Sequence, residues 1–297
     1  MPERLGSWKT RLASYYPYYL IVPAILYYIA FWAIPAFSGI ALAFQGPQGF
    51  TLRYFQYVVR DPYFYQALGN TFIFLVISVT VEFILALAVA LLINTGFKGA
   101  SLFLFVALIP MVLPEISYGA IWATGYAQHG WVNSLLVHLG LMDPGRPMSW
   151  LAYGKIARWM TLLIVAEAWR GLPSVMIILL AGLQGISKEY GEAARIFGAT
   201  SFQTLRKITL PLLKPSIQTA LILRAIGAVQ IFVIITVIFG YRNLPVLVEE
   251  AVYYFRELHQ KQLGAAYALI IMGIVVTLSV LYLWLSGSFK GEEGRGE

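Results

Sequence analysis

Residues 185–215 read Gly-Ile-Ser-Lys-Glu-Tyr-Gly-Glu-Ala-Ala-Arg-Ile-Phe-Gly-Ala-Thr-Ser-Phe-Gln-Thr-Leu-Arg-Lys-Ile-Thr-Leu-Pro-Leu-Leu-Lys-Pro, a polar island between two long apolar runs. Its local chemistry reads as two short helices meeting at a sharp bend. Ser187 is an N-cap and Glu189 stands in the first turn, where a carboxylate complements the positive helix end. Gly198 stops the helix that carries Glu192-Ala193-Ala194-Arg195, because glycine takes the left-handed conformation at a helix C-terminus. Thr200 or Ser201 caps the second helix, which has Arg206 and Lys207 in its last turn before Pro211. Two alanines beside one glutamate make a small face that another protein can approach closely. The competing reading is a basic amphipathic helix lying on lipid.

Outward from this island the chain is apolar almost throughout. Of 297 residues, 59% are hydrophobic and 12% charged, with a mean hydropathy of +0.73. A soluble domain carries about 25% charged residues, so this chain lacks the polar material to cover a water-facing surface. Disorder needs low hydrophobicity and high charge, and is excluded by the same figures. Six runs reach the ~20 residues that a bilayer demands: 19–44, 67–93, 102–126, 157–183, 217–239 and 263–286. The segments between them are short and rich in Gly, Pro and charge, as loops are. The first run is too long for the 7–15-residue core of a cleaved leader, so it stays a span. Tyr15, Tyr16, Tyr18 and Tyr19 cluster at its start, where aromatic rings favour the lipid–water boundary. The expected fold is an all-α integral membrane protein of six transmembrane helices.

Orientation follows from Lys and Arg. With the N-terminus inside, eleven fall on inner segments (Arg4, Lys9, Arg11, Lys98, Lys188, Arg195, Arg206, Lys207, Lys214, Lys290, Arg295) and eight on outer loops, Lys155 and Arg242 among them. The expected layout is a cytoplasmic segment at 1–18, the membrane domain at 19–286 and a cytoplasmic tail at 287–297. The net charge of +7 reflects basic inner loops and not a nucleic-acid partner. Cysteine is absent, which removes disulfides and thiolate chemistry. His129, His138 and His259 are too scattered to form a metal site.

The island carries a resemblance. Glu192-Ala193-Ala194, Gly198-Ala199, Ile208, Leu210-Pro211 and Pro215 resemble the EAA loop of permease subunits from binding-protein-dependent ABC importers. Trp169 with Pro173, then Leu180-Ala181-Gly182-Leu183-Gln184, is similar to the approach to that loop in maltose/trehalose/glycerol-phosphate-type carbohydrate permeases. Pro110, Pro114, Trp122, Gly130 and Asn133 resemble the third span of that family and the loop after it. Two departures stand out: Phe197 where the family usually has Asp, and Gly240-Tyr241-Arg242-Asn243-Leu244-Pro245 where a Gly-Gly-Pro run is common. The resemblance implies the type I ABC importer permease fold in a prokaryotic cell membrane. Glu192, Ala193, Ala194, Arg195, Gly198, Leu210 and Pro211 would then form a coupling loop on a cytoplasmic ATPase. The implied partners are a second homologous permease, two ATPase subunits that bind ATP and Mg, an extracytoplasmic sugar-binding protein and membrane lipid. The chain has no Gly-x-x-x-x-Gly-Lys-Ser/Thr phosphate loop of its own, so it is read as a translocation subunit and not an enzyme, with no cofactor in this chain.

Five ionisable residues fall inside spans: Glu82, Glu115, Glu167, Arg170 and Arg224. A charge at a helix centre costs about 2.5–3.5 kcal/mol on insertion scales, so each needs a partner or water. Glu167 and Arg170, three apart, share one helix face. They either pair as glue between helices or line a wet path. The resemblance implies the second use and places the substrate against Glu167, Arg170, Gly171, Ser174, Arg224 and Ala228, in the spans before and after the EAA loop. Pro110 and Pro114 permit a break in the third span, and Glu115 beside it is a candidate site or gate residue. Glu82 reads as structural. Trp122, Tyr126, Trp169 and Phe232 could stack on sugar rings, with a lipid-facing role as the alternative. The leading substrate is a di- or oligosaccharide such as trehalose or maltose. Glycerol-3-phosphate is the runner-up, because two membrane arginines could hold a phosphate. A proton-coupled secondary transporter relaying through Glu82, Glu115 or Glu167 is the rival class.

Overall fold

A computed structural model describes residues 18–152 and 156–285. The basic residues Arg4, Lys9, Arg11, Lys155, Lys290 and Arg295, the rings of Tyr15 and Tyr16, and the expected terminal segments fall outside the described residues, apart from Tyr18 at the edge of the first.

The regular structure of the described chain is helical apart from a two-residue ladder, β1 (Gln45–Gly46) with β2 (Gly49–Phe50), antiparallel, in which Gln45 faces Phe50. Helix α1 (Tyr18–Ala43) is followed by that ladder and by α2 (Arg53–Arg60). Then come α3 (Pro62–Asn94), α4 (Ala100–Val112), α5 (Glu115–Gly125) and α6 (Trp131–His138). The second half holds α7 (Ile156–Gln184), α8 (Lys188–Ile196), α9 (Ser201–Val229), α10 (Val233–Phe239), α11 (Leu247–Val252) and α12 (Lys261–Leu285).

Among the described residues five helices are long and apolar enough to cross a membrane by themselves: α1, α3, α7, α9 and α12. The sixth expected span is α4 plus α5, which meet at 96°. With 13 residues in α4 and ~1.5 Å of rise each, neither half reaches across the ~30 Å hydrocarbon core alone. The cause is local: Leu113 and Pro114 both adopt extended backbone, and proline cannot donate the bond that would continue the helix.

The expected fifth span also differs. It stops at Val229, breaks across residues 230–232 and resumes as α10; Phe232 sits at φ −151°. The second short helix expected before Pro211 does not end there either. It runs on into α9 through a widened turn at Leu205–Thr209, where the Leu210 N–H donates to the Leu205 carbonyl. Pro211 then falls directly after that widened turn within α9, where its missing donor costs little.

Helix α7 is the most buried span and forms the axis of the bundle. Toward the EAA loop it packs with α3 and α9 through Val175, Met176, Leu179, Leu183, Ala86, Ala90 and Leu213. At its other end Leu163 and Met160 pack with Phe74, Tyr118, Trp122, Ile234 and Ile238 from α3, α5 and α10. A third cluster joins Ala43, Val58, Phe64, Leu247 and Tyr267 beneath α2 and α11. Small residues on α3 allow the close helix approach that membrane packing relies on. Helix α1 packs on α12 mainly through its C-terminal half, and most of its remaining apolar surface is exposed.

Candidate functional site

Between these apolar layers lies one connected charge network. Arg224 on α9 pairs through Nε and Nη2 with the carboxylate of Glu82 on α3, and Nη2 also donates to Glu167 Oε1 at 2.8 Å. Ser78 Oγ donates to Glu82 Oε1 at 2.6 Å. Arg170 Nη2 donates to Glu167 Oε1 at 2.7 Å, one helix turn away on α7. Tyr118 of α5 gives its hydroxyl to Glu167 Oε2 at 2.8 Å, and the Arg170 guanidinium lies 5.0 Å from the Tyr118 ring centre. Glu82, Glu167 and Arg224 are buried. Every one of them has a charged partner, as low-dielectric surroundings require.

The network crosses α7 at Gly171. A Cβ there would stand 2.5 Å from Glu82 Oε2 and 2.8 Å from Arg224 Nε. Glycine thus keeps open the gap through which α9 reaches α3.

One side of the network opens into a cavity of about 150 Å³ lined by Glu115, Tyr118, Glu167, Arg170, Gly227, Gln230 and Phe232 among others. It has room for several ordered waters or the edge of a polyhydroxy ring. Both breaks in the spans meet here: Glu115 opens α5, and Gln230 follows the end of α9. Two larger hollows, of about 500 and 330 Å³, are apolar grooves on the α1–α12 and α3–α9–α12 faces. Their linings offer no comparable hydrogen-bonding set, so the smaller polar cavity is the candidate pathway contact.

The expected substrate residues separate into three groups. Glu115, Glu167 and Arg170 face the cavity. Arg224 and Gly171 stand behind it as the support of Glu167. Ser174 donates to the Gly171 carbonyl of its own helix at 2.7 Å, and Ala228 is buried in the core beside Ile231 and Ile234. Tyr118, Gly227 and Gln230 also line this cavity, and nothing in the sequence singles them out for it. The two arginines considered for a phosphate are both engaged by carboxylates.

Among the aromatics, Trp122 and Tyr126 are core residues and face neither lipid nor cavity. Trp122 packs on Tyr126, Trp131 and Trp169, and the Tyr126 hydroxyl donates to the Leu162 carbonyl at 2.8 Å. Phe232 lines the cavity. Asn133 is a loop clasp: Nδ2 donates to the carbonyls of Gln128 and Met148, both at 2.8 Å, and Oδ1 accepts from Trp150 Nε1 at 2.7 Å.

At the other end of α7 the EAA loop has the shape its residues dictate. Ser187 Oγ accepts from the Glu189 N–H at 3.3 Å, capping α8. The Ala199 N–H donates to the Ala194 carbonyl and the Gly198 N–H to that of Arg195, the paired closure of a helix C-terminus on a left-handed residue. Gly198 is that residue, at φ +75°. Thr200 and Gln203 complete a reciprocal capping box. Glu192, Ala193, Arg195 and Gly198 are exposed, whereas Ala194 is buried against its own chain. The small face expected from two alanines is therefore presented by Ala193, and Ala194 seats the helix. Leu210 is half-buried and Pro211 exposed. Ile196, Phe197 and Phe202 stand out from the bend, 83%, 89% and 68% exposed.

A second polar cluster fills the loop between α10 and α12. Arg242, at φ +60°, donates its N–H to Glu249 Oε1 at 2.7 Å and its Nη2 to Glu250 Oε2 at 2.8 Å. Its guanidinium lies 4.3 Å from the ring centre of Tyr63 and 4.2 Å from that of Tyr253. Asp61 Oδ2 accepts from the hydroxyls of Tyr254 and Tyr267 at 2.7 and 2.8 Å. Thr71 Oγ1 accepts from the Leu247 N–H and Asn70 Nδ2 donates to the Pro245 carbonyl, anchoring the loop to α3. Burial pushes the Glu249 carboxyl up to about 7; the Arg242 amide pulls it down and neighbouring Glu250 pushes it up.

The sequence matches the family described as binding-protein-dependent transport system inner membrane component over residues 10–290. The trehalose/maltose transport system permease protein MalF of Thermococcus litoralis is 30% identical over 276 residues, covering 90% of this chain and 92% of that protein. The lactose transport system permease protein LacF of Rhizobium radiobacter is 30% identical over 233 residues, covering 75% and 77%. Among solved structures, a chain of a bacterial ABC transporter involved in the import of the acidic polysaccharide alginate aligns with a TM-score of 0.84. It is 21% identical, covers 97% of this chain and is itself covered in full. At that identity the likeness speaks for the fold alone.

Proposed function

The chain belongs to the family of binding-protein-dependent transport system inner membrane components, and from that premise we propose that it is one of two permease subunits forming the pathway of an ATP-driven carbohydrate importer. The substrate is a di- or oligosaccharide, with trehalose or maltose foremost. The observation that carries this reading is the polar cavity at the two helix breaks. Glu115, Glu167, Arg170 and Gln230 supply donors and acceptors to one small space otherwise enclosed by apolar layers. Sugar hydroxyls both donate and accept, and charged partners give the stronger hydrogen bonds. The 30%-identical relatives belong to trehalose/maltose and lactose transport systems, which supports the carbohydrate class.

In this reading α8 and the bend at Gly198 dock into a cytoplasmic ATPase, with Glu192 offering one ion-pair partner. Two such ATPase subunits bind ATP and Mg. Their closure drives the spans to open outward toward an extracytoplasmic binding protein. Both termini then lie in the cytoplasm, and residues 185–215 are the coupling loop of a membrane domain that runs from 19 to 286. The engaged state of Arg170 and Arg224 speaks against glycerol-3-phosphate, since a phosphate would have to displace a carboxylate from either one.

The test is uptake by the complex purified through this subunit and reconstituted with its partners. Unlabelled maltose or trehalose should compete with the labelled sugar, and ATP removal should abolish uptake. Competition by glycerol-3-phosphate alone would sink the sugar assignment; uptake that survives ATP removal and collapses with an uncoupler would sink the ABC reading.

A further inference from the structure

The cavity has a charge asymmetry that bears on which substrates it admits. Among its lining residues Arg170 is the one cation, against two carboxylates, Glu115 and Glu167. Behind it, Arg224 and Glu82 cancel. The formal charge of the site is therefore −1, and its two carboxylates are held differently. Glu167 is 2% exposed and takes both Nε and Nη2 of Arg170. Glu115 is 52% exposed, and its Oε1 stands 4.0 Å from Arg170 Nη2, outside hydrogen-bond range but well within strong Coulomb range. Among the described residues it has no hydrogen-bonded partner, and it lines the cavity. The position is enforced by the chain. Glu115 is the first residue of α5, where the helix end favours a carboxylate, and the Pro114 break turns that end toward α7.

We propose that Glu115 sets the charge selectivity of this cavity. It covers the accessible side of Arg170 and keeps that guanidinium from capturing an anion, so that neutral polyhydroxy substrates pass and carboxylated or phosphorylated ones are rejected. A neutral sugar loses nothing to Glu115, since its hydroxyls can donate to the carboxylate. An anionic sugar meets a like charge before it reaches Arg170. Juxtaposed like charges are the usual means of excluding a wrong partner. The inference rests on the reading of this cavity as a carbohydrate contact.

The experiment is equilibrium binding to the intact importer in nanodiscs without its binding protein, so that the pathway alone selects. The probes are maltose and trehalose, each paired with its 6-phosphate. The wild type should bind at least one neutral disaccharide and discriminate against its phosphate. Glu115→Gln should raise the affinity for the phosphate relative to that for the neutral sugar by about tenfold or more, and Glu115→Asp should keep the discrimination. The gain should fade at high salt, as a Coulomb effect does. An unchanged phosphate-to-neutral ratio in Glu115→Gln overturns the proposal, and so does loss of the neutral sugar with no gain for the phosphate. Failure of the wild type to bind either neutral disaccharide would instead overturn the carbohydrate reading beneath it.

Discussion

Arg224 reaches Glu82 across the face of α7 at the position where residue 171 is a glycine. The two residues are 142 apart in sequence and lie on different spans, so this contact ties α9 to α3 through α7. Glu167 holds the second edge of the same guanidinium. The order of mutational damage follows from this geometry. Arg224→Gln strands the buried Glu82 carboxylate and takes one of two cations from Glu167, and should cost about 3–5 kcal/mol. Glu82→Gln leaves Arg224 with Glu167 and should cost clearly less. Gly171→Ala inserts a methyl 2.5 Å from Glu82 Oε2 and should cost about 1–3 kcal/mol by overpacking. Thermal unfolding in detergent checks the ranking; an Arg224→Gln protein as stable as Glu82→Gln would contradict it.

The bend of the EAA loop depends on Gly198 at φ +75°. A Cβ in the left-handed region costs roughly 1–2 kcal/mol, and asparagine tolerates it better than alanine. Gly198→Ala should therefore lower transport and ATPase copurification more than Gly198→Asn, with the spans still folded. Glu192→Ala should weaken copurification without disturbing the bend, because that side chain is exposed. Pull-down of the ATPase alongside uptake decides this, and wild-type values for both Gly198→Ala and Glu192→Ala would remove the coupling assignment.

Because the chain contains no cysteine, single cysteines report sidedness cleanly. Phe197→Cys, at an 89% exposed site, should label from the cytoplasmic face of membrane vesicles. Leu141→Cys, 71% exposed in the loop after α6, should label only from the opposite face. The reverse pattern would overturn the orientation drawn from basic residues, and labelling of both from one side would overturn α7 as a membrane crossing.

Asn133 closes the same loop with three hydrogen bonds to Gln128, Met148 and Trp150. Asn133→Ala leaves two carbonyls and an indole N–H without these partners, at about 1–3 kcal/mol for each group left buried and unsatisfied. Faster proteolysis confined to residues 139–152, with the spans still protected, is the expected result. Unchanged cleavage there would show that the clasp does not hold the loop.

The sequence made some of this legible because the deciding chemistry is local. Pro110 and Pro114 mark the broken third span. Ser187 and Thr200 mark the caps, Gly198 marks the bend, and the i,i+3 spacing of Glu167 and Arg170 marks their pair. What escaped was set by distant packing. The break at 230–232 has no glycine or proline to announce it; it arises where α10 packs its Ile234 and Ile238 against α5 and α7. Pro211 reads as a stop, but a widened turn ahead of it carries the helix through. The partner of Glu82 could not be read because the pairing joins different spans. The cluster around Arg242 had one faint signal, two adjacent glutamates inside the apolar run 244–252.

That cluster makes the loop between α10 and α12 sensitive to pH. Glu249 lies outside the spans, is fully buried, and is held up to about 7 first by burial, against the pull of the Arg242 amide and with a further push from Glu250. The groups around it are Arg242, Glu250 and Tyr241 and, one layer out, Asp61, Tyr253 and Tyr254. A carboxyl whose folded value lies above its unfolded one binds its proton more tightly in the folded loop. Its contribution is therefore complete below the unfolded value of about 4.5 and is lost as pH rises through about 7. Hydrogen-exchange protection of residues 242–257, corrected for the intrinsic rate, should be higher at pH 5.5 than at pH 8. Glu249→Gln, permanently neutral, should flatten that slope. A wild-type loop whose corrected protection is constant or rises over this range would show that Glu249 is ionised throughout, and that Arg242 holds both glutamates as a charged pair.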